Sequence, residues 1–363
     1  MSNLSDEDIA DLTKSTQKDL GWLKFGQIAQ RRQHYEAFDR LFRKDRVQVD
    51  GSTGIKRTLM LDHSGAAKHV GLHATDNVNI GDVLATMEET WAHTQTYYGW
   101  ERREVLENIG KGKIVDLMDV RRTDGMLSLI ELIEDAFWDK PATSADKITP
   151  KGVPYWIVWN ATEGFNGGDP AGFAAGAGGI TTASQRRWKN YSGAYVAITR
   201  SDLIRKMKKS YRQTRFMSPI SVPDFRRGKG DQYRHYMNDT SIGAFEEAIE
   251  EQNDNLGTTE VAPVGSRDVS SMDGVPTFRR NPMIWVPKLD EDASDPIYSI
   301  NWSTFGIYFL KGDYLRESDP ALVANQHNDW VVFIDLTWQP VCVDRRRNSV
   351  FAKSAPGTYV AAA

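Results

Sequence analysis

The residues that could do chemistry are few, and each lacks a second feature its chemistry would need. Between 164 and 179 the run GFNGGDPAGFAAGAGG has the glycine density of a phosphate-cradling loop. Such loops work because closely spaced backbone N–H groups face the phosphate while a GK[ST] ending supplies a lysine and a hydroxyl. That ending is missing and no GxGxxG stands between a strand and a helix, so the run reads as a surface loop. His69 and His73 are four residues apart, a metal-ligand spacing on a helix. They stand in a Gly-bounded, strand-like segment without a nearby carboxylate pair, and read as ordinary exposed histidines. Glu88 and Glu89 are neighbours in sequence only, and no GxSxG elbow, HExxH helix or Cys–His arrangement occurs. The single cysteine, Cys342, excludes an intrachain disulfide framework and a cysteine-based zinc site, and reads as a small buried apolar residue. The expectation is therefore a protein that is not an enzyme, with no cofactor and no metal.

Composition narrows the class further. The chain has 363 residues, 40% of them hydrophobic and 26% charged, which is ordinary globular usage with enough length for one large core or two medium ones. A net charge of -4 gives no general attraction to nucleic acid, so contact with phosphate has to be local. No stretch approaches the roughly 20 apolar residues of a membrane helix, and the start MSNLSDEDIADLTK is acidic where a signal peptide is basic, so a soluble cytosolic product with no membrane contact is expected. With 11 Trp, 13 Tyr and 14 Phe the chain carries many large rings, which dominate cores and subunit interfaces alike.

The patterning then gives the elements. Ile28, Tyr35, Phe38, Leu41 and Phe42 recur at helical spacing among charges, predicting an arm with a short helix from about Gln27 to Lys44. From Arg46 to Ile80 the pattern alternates (RVQV, the turn DGSTG, IKRTLML, the turn DHSG), predicting a long polar hairpin or three-stranded ribbon. Its large aliphatics are nearly confined to Leu59, Leu61, Val70 and Leu72, too few for a core, so the ribbon needs another molecule to lie on. TWAHTQTYY predicts a strand. Ile114, Leu117, Met118, Met126, Leu129, Ile130, Ile133 and Phe137 mark one face of a long helix over 112–140, with a bend expected at Gly125 and a stop at Pro141. Beyond Pro150 a separate mixed domain is expected, with YWIVWN as an aromatic strand and helices at Arg200–Thr214 and Thr240–Asn253. VPTFRRNPMIWVPKLD reads as two extended pieces, with Pro282 and Pro287 barred from a central ladder position. IYSINWSTFGIYFL and DWVVFIDLTWQPVCV read as buried strands.

In this order, arm, ribbon, strand, spine-like helix, mixed domain and returning strands, the chain resembles the major capsid (coat) proteins of tailed bacteriophages. That fold is shared with encapsulins and the herpesvirus capsid floor. The resemblance is carried by Lys113–Trp138, GVPYWI at Gly152–Ile157, RWKNYSGAYVAI at Arg187–Ile198, the segments Asp273–Asp290 and Asp295–Asp313, and the ending WVVFIDLTWQPVCVDRRRNSVFAKS. It implies an α+β fold with an N-terminal arm at 1–44, an extended loop at 45–80 lying across a neighbouring subunit, a peripheral domain at 81–149 containing the spine helix, an axial domain at 150–315, and C-terminal strands at 316–363 returning to the peripheral domain. It implies pentamers and hexamers of a self-assembling icosahedral shell around double-stranded DNA. The shell would be a virion component built from a procapsid in the host bacterial cytoplasm, with portal and decoration proteins as partners. No scaffolding segment of roughly a hundred residues precedes the arm, so a separate scaffolding protein is implied.

Charge suggests where copies would meet. Arg205 and Lys208 lie on a basic helix, Glu247 and Glu250 on an acidic one, a pairing suited to head-to-tail contacts around an axis and equally to two solvated faces. Arg345, Arg346 and Arg347 would pair with acidic groups of a neighbour or touch packaged DNA nonspecifically, the first being favoured. Lys56, Arg57 and Lys68 fall in the extended loop. Some relatives of this resemblance crosslink a loop lysine to a neighbour's asparagine, but no asparagine partner is fixed here for Lys56 or Lys68, so noncovalent assembly is expected. The competing readings are an encapsulin-like cargo shell, a ligand- or glycan-binding module built on exposed Trp156, Trp159, Trp188 and Tyr191, and an enzyme without a recognisable motif.

Overall fold

The computed structural model describes residues 30–42, 47–51, 53–65, 67–70, 83–107, 117–216, 232–254, 269–272, 275–324 and 326–357. The expected helix at 27–44 is the short α1 (Glu36–Leu41). After it come β1 (Val47–Asp50), β2 (Ile55–Met60), β3 (Leu84–Glu89) and β4 (Ala92–Glu101). The expected hairpin between the first two strands does not form. β1 pairs in parallel with a strand from the far end of the chain, Val47 opposite Ile307, while β2 takes β3 as its antiparallel partner, Ile55 opposite Glu89 and Met60 opposite Leu84. Alternation fixes a strand and its faces but carries no information about which strand lies beside it.

A short α2 (Arg102–Glu107) leads toward the spine, α3 (Leu117–Trp138), whose 22 residues span about 33 Å at 1.5 Å each. α3 is uninterrupted at Gly125, which is buried against β4: a Cβ there would already touch the Tyr97 carbonyl at 3.7 Å. Arg121 ties the helix down, donating to Gly99 O (2.6 Å) and to the buried Glu104 of α2 (2.8 Å).

YWIVWN is not a strand. Gly152 and Pro154 begin a single helical turn, α4 (Val153–Trp156), because proline's fixed φ and missing N–H suit the first turn of a helix. Then follow β5 (Gly164–Gly167), β6 (Asn190–Ala194), α5 (Leu203–Thr214), β7 (Tyr233–Met237) and α6 (Asp239–Asp254). β8 (Val269–Met272), β9 (Val275–Phe278), β10 (Asn281–Trp285), β11 (Ile297–Asn301) and β12 (Phe305–Leu310) continue the chain. β13 (Arg316–Glu317), β14 (Ala321–Leu322), β15 (Asp329–Cys342) and β16 (Ser349–Ala352) complete it.

Apart from the two-stranded β2–β3 ribbon, the described strands form two mixed sheets. In the first, the 14-residue β15 is the hub, pairing antiparallel with β4, β12, β13 and β14, and β12 passes the sheet on to β1. The second runs β5-β6-β16-β11-β7-β10-β9-β8. Two strands therefore cross the expected boundary at 315: β12 joins the sheet of β4 and β15, and β16 joins the sheet of β6 and β11. Pro282 does lie inside the second sheet, against expectation. It is tolerated because the β7 ladder begins only at Met283, so Pro282 faces one partner strand, at Thr277 of β9.

One aromatic cluster closes the space between the sheets at the end of α3. Phe137 stacks on Trp302 (6.0 Å between centroids), Trp138 packs on Tyr236 (5.1 Å), and Trp302 Nε1 donates to Tyr236 Oη at 2.7 Å. A second apolar cluster, with Leu203, Ile204 and Met207 of α5, Phe245 of α6, and Met237, Phe278, Ile297 and Phe351, lies on the other sheet. Among the described residues no helix is long and apolar enough to cross a membrane.

His235 of β7 is fully enclosed, sharing a hydrogen bond through Nδ1 with Ser299 Oγ at 2.8 Å. Burial pushes its pKa down to about 4 from an ordinary 6.5. The unfolded chain therefore takes up the proton first, and this contribution to stability is complete above pH 6.5 and lost as the pH falls toward 4. We expect about 3 kcal/mol of acid destabilisation over that window, and a His235→Gln variant whose urea midpoint is flatter with pH between the same limits.

Candidate assembly surfaces

The β2–β3 ribbon has two unlike faces. Ile55, Leu59 and Met87 point to the body of the chain and are buried. The opposite face is a ladder of three cross-strand pairs: Lys56 with Glu88 (3.1 Å), Thr58 with Thr86, and Met60 with Leu84. The last pair is apolar and open to solvent, Met60 67% and Leu84 55% exposed. Past Met60 the described residues up to 70 have no sheet partner among the described residues; Val70 is 60% exposed, and Lys68 and His69 beside it are exposed. His73 lies outside the described residues. Arg57 is exposed but used within the chain, its Nε donating to Tyr308 Oη at 2.9 Å.

The arm is held onto the spine by carboxylates. A six-residue helix is far too short to persist alone, and Tyr35 at its start offers no side-chain cap. The cap comes from α3: the buried Glu134 accepts from Ala37 N (3.2 Å), Phe38 N (3.0 Å) and Trp138 Nε1 (2.8 Å). Burial pushes the Glu134 carboxyl up, and these three donors pull it back only in part. Tyr35 Oη donates to Glu131 at 3.0 Å, and Arg32 bridges Asp135 (2.7 Å) and Glu291 (3.1 Å). Removing the acceptor leaves three buried donors unmatched, so Glu134→Ala should loosen the arm by about 3 kcal/mol. Hydrogen exchange at the Ala37 and Phe38 amides is the measurement, with faster exchange there and unchanged protection in β15 expected.

The glycine-rich stretch is pinned to the ribbon's base. Glu89, at the end of β3 and 2% exposed, pairs with Lys151, accepts from Tyr155 Oη at 2.6 Å and from Gly178 N at 3.0 Å. Gly176, Gly178 and Gly179 all take positive φ (76, 68 and 71°), and a Cβ on Gly178 would meet Met87 Cγ at 2.5 Å. Burial and the adjacent carboxylate hold the Tyr155 phenol far above its usual pKa, so it serves as a donor. With the Gly178 N–H occupied by Glu89, the loop is a folded connection and not a phosphate cradle.

Arg345 fixes the other end of that stretch. It is 0% exposed; Nε donates to Trp156 O (2.7 Å), and its terminal nitrogens to Trp188 O (2.9 Å) and Gly168 O (2.7 Å). Burial pushes its pKa down to about 10. Arg347, 3% exposed, donates to Phe216 O and pairs with Asp344. The expected role of these two as subunit contacts is thus corrected: the alternating Arg345 and Arg347 turn inward, and of the three only Arg346, half-buried, still reaches solvent.

Arg205 and Glu247 are exposed on α5 and α6, Lys208 is half-buried, and Glu250 lies on α6 with its side chain outside the description. The two helices share one apolar cluster, while the neighbouring Lys206 and Lys209 pair with Asp202 (2.5 Å) and Glu163 (3.0 Å) on their own side. Trp156, Trp188 and Tyr191 are at most 1% exposed, and Trp159 donates to Gly193 O at 3.2 Å. Three of the four aromatics that suggested a glycan surface are core residues and Trp159 is half-buried against the core of Trp156 and Trp188, so they form no exposed aromatic surface. Cys342 is buried, and its thiol is pushed up by that burial.

Comparison with protein-family models finds no match, and none is found among curated proteins. Solved structures do match along nearly the whole chain. The capsid asymmetric unit of Cyanophage A-1(L) superposes with a TM-score of 0.62 at 11% identity, covering 91% of this chain and 95% of its own. The capsid of the empty GTA particle gives 0.54 at 11% identity (98% and 99%), and the holo-SrpI encapsulin of Synechococcus elongatus PCC 7942 gives 0.52 at 9% identity (100% of both). The chain has the α+β fold of tailed-phage capsid proteins and encapsulins, as its sequence resemblance implied.

Proposed function

We propose that this chain is a structural shell subunit, the major capsid protein of a tailed phage, which assembles noncovalently into pentamers and hexamers enclosing double-stranded DNA. The observation that carries the reading is the outward ribbon face with its solvent-exposed apolar Met60–Leu84 pair, joined to a fold shared with a cyanophage capsid and a GTA capsid. A two-stranded ribbon is marginal in water, and burial under a neighbour supplies what its own body leaves open. In this reading 45–80 is the extended loop, 81–149 with β15 the peripheral domain, and most of 150–315 the axial domain. Lys56, Lys68, Arg205, Lys208, Glu247 and Glu250 are contact residues between copies. Scaffolding, portal and decoration proteins are its partners, and assembly takes place in the host cytoplasm before the shell becomes part of the virion.

The encapsulin match over all of both chains supports one second reading, a shell around protein cargo. Expression with the neighbouring genes, sedimentation of particles and nuclease treatment separate the two. Particles holding nuclease-protected double-stranded DNA are expected; particles holding only a protein cargo favour the second reading, and a chain that stays monomeric contradicts both.

A further inference from the structure

Phe165, Arg186, Arg187, Lys189 and Arg346 line an open cavity of about 360 Å³ where β5, the loop before β6 and the turn at Arg345–Arg347 meet. The Arg346 guanidinium is seated on two rings, 5.0 Å from the Phe165 centroid and 4.4 Å from that of Phe216. Arg187 is held at the rim by Asp62, 3.0 Å from its guanidinium, and contacts His63 Nε2 at 3.3 Å. Arg186, Lys189 and the Arg346 side chain have no carboxylate within ion-pair distance among the described residues. Asp344 directs one oxygen to the Arg346 backbone N–H (3.1 Å) and the other to Arg347. Burial, and after it the like charge of Arg187, draws the Arg346 pKa below its usual range, with Asp344 acting in the opposite sense. Three cations without a carboxylate partner favour the entry of an anion.

We infer that this pocket binds a phosphate group, either free or in a nucleic-acid backbone. A carboxylate offers one charge and two oxygens, and the rim already holds one, Asp62, with three cations left over. A phosphate offers more acceptor oxygens, and planar guanidinium groups meet them with paired N–H donors. The pocket would be the local exception to a chain whose net charge of -4 otherwise disfavours nucleic acid. Nucleic acid as the source rests on the shell reading; phosphate as the ligand does not.

The test titrates the full chain, in the state in which it purifies, with inorganic phosphate, a short DNA duplex and a poly-glutamate peptide. The variant is Arg186→Gln with Lys189→Gln, both on the open side of the pocket. We expect phosphate binding about tenfold weaker in the variant, at an unchanged melting temperature. Where the duplex binds, its salt slope should fall by about 1.8, roughly 0.9 for each lost contact. Phosphate binding without duplex binding supports the pocket with free phosphate as its source; binding of both assigns the backbone. Equal affinity and slope in the two proteins, or binding of the peptide alone, overturns the inference. Particles that form without any phosphate binding count against the pocket only, and phosphate binding by a chain that forms no particles counts against the shell only.

Discussion

Replacing Arg345 by methionine should lower stability by about 3 kcal/mol, which for a chain of 363 residues is a fall of roughly 4 °C in melting temperature. Two effects oppose each other. Methionine takes away a buried cation, and the downward pKa shift of Arg345 shows that its charged form is desolvated at a cost. It also strands the carbonyls of Trp156, Trp188 and Gly168, each worth about 1 to 3 kcal/mol when buried without a donor. Three carbonyls outweigh one relieved cation. Arg345→Lys keeps the charge but cannot span three acceptors that lie on separate segments, so it should recover less than half of the loss. Thermal unfolding of both variants is the measurement, and a methionine variant as stable as the parent would remove Arg345 from its structural role.

The second large effect is on assembly. Met60→Glu combined with Leu84→Glu changes two exposed side chains that face each other across the ribbon, so folding should weaken by no more than about 1 kcal/mol. Under a neighbouring copy the same carboxylates would be buried without partners, at several kcal/mol for each contact, repeated at every subunit. Sedimentation should show intact folded protein and no particles. A conservative pair, Met60→Leu with Leu84→Met, should assemble normally, and equal assembly by the charged pair would mean that this ribbon face is not an interface.

Much of this fold was legible in the sequence because periodicity reports faces. The stripe Leu129, Ile133 and Phe137 gave the spine, and DWVVFIDLTWQPVCV gave the strand at the hub of the first sheet. What stayed hidden was partnership. RVQV and IKRTLM alternate alike, yet one pairs with β12, some 260 residues on, and the other with β3. YWIVWN has the composition of a strand, and Pro154 with the deep burial of Tyr155 and Trp156 made it a helical turn. The pins were missed for a related reason. Glu89 and Glu134 look like surface charges, and their burial follows from what they cap; the signals available were Met87 and Glu89 two apart on one strand face, and Ile130, Ile133, Glu134 and Phe137 on one side of a helix. Three arginines in a row looked like one cationic patch. Their turn sends the first and third inward and leaves the middle one at the pocket.

The shell account depends on the ribbon having a second molecule to cover it. A density map of the purified assembly, by electron microscopy, tests this most directly. The account predicts closed particles in which the Met60–Leu84 face of each ribbon lies against a different copy of the chain. A homogeneous population of single chains at concentrations well above the micromolar range, with that face bare, would contradict it.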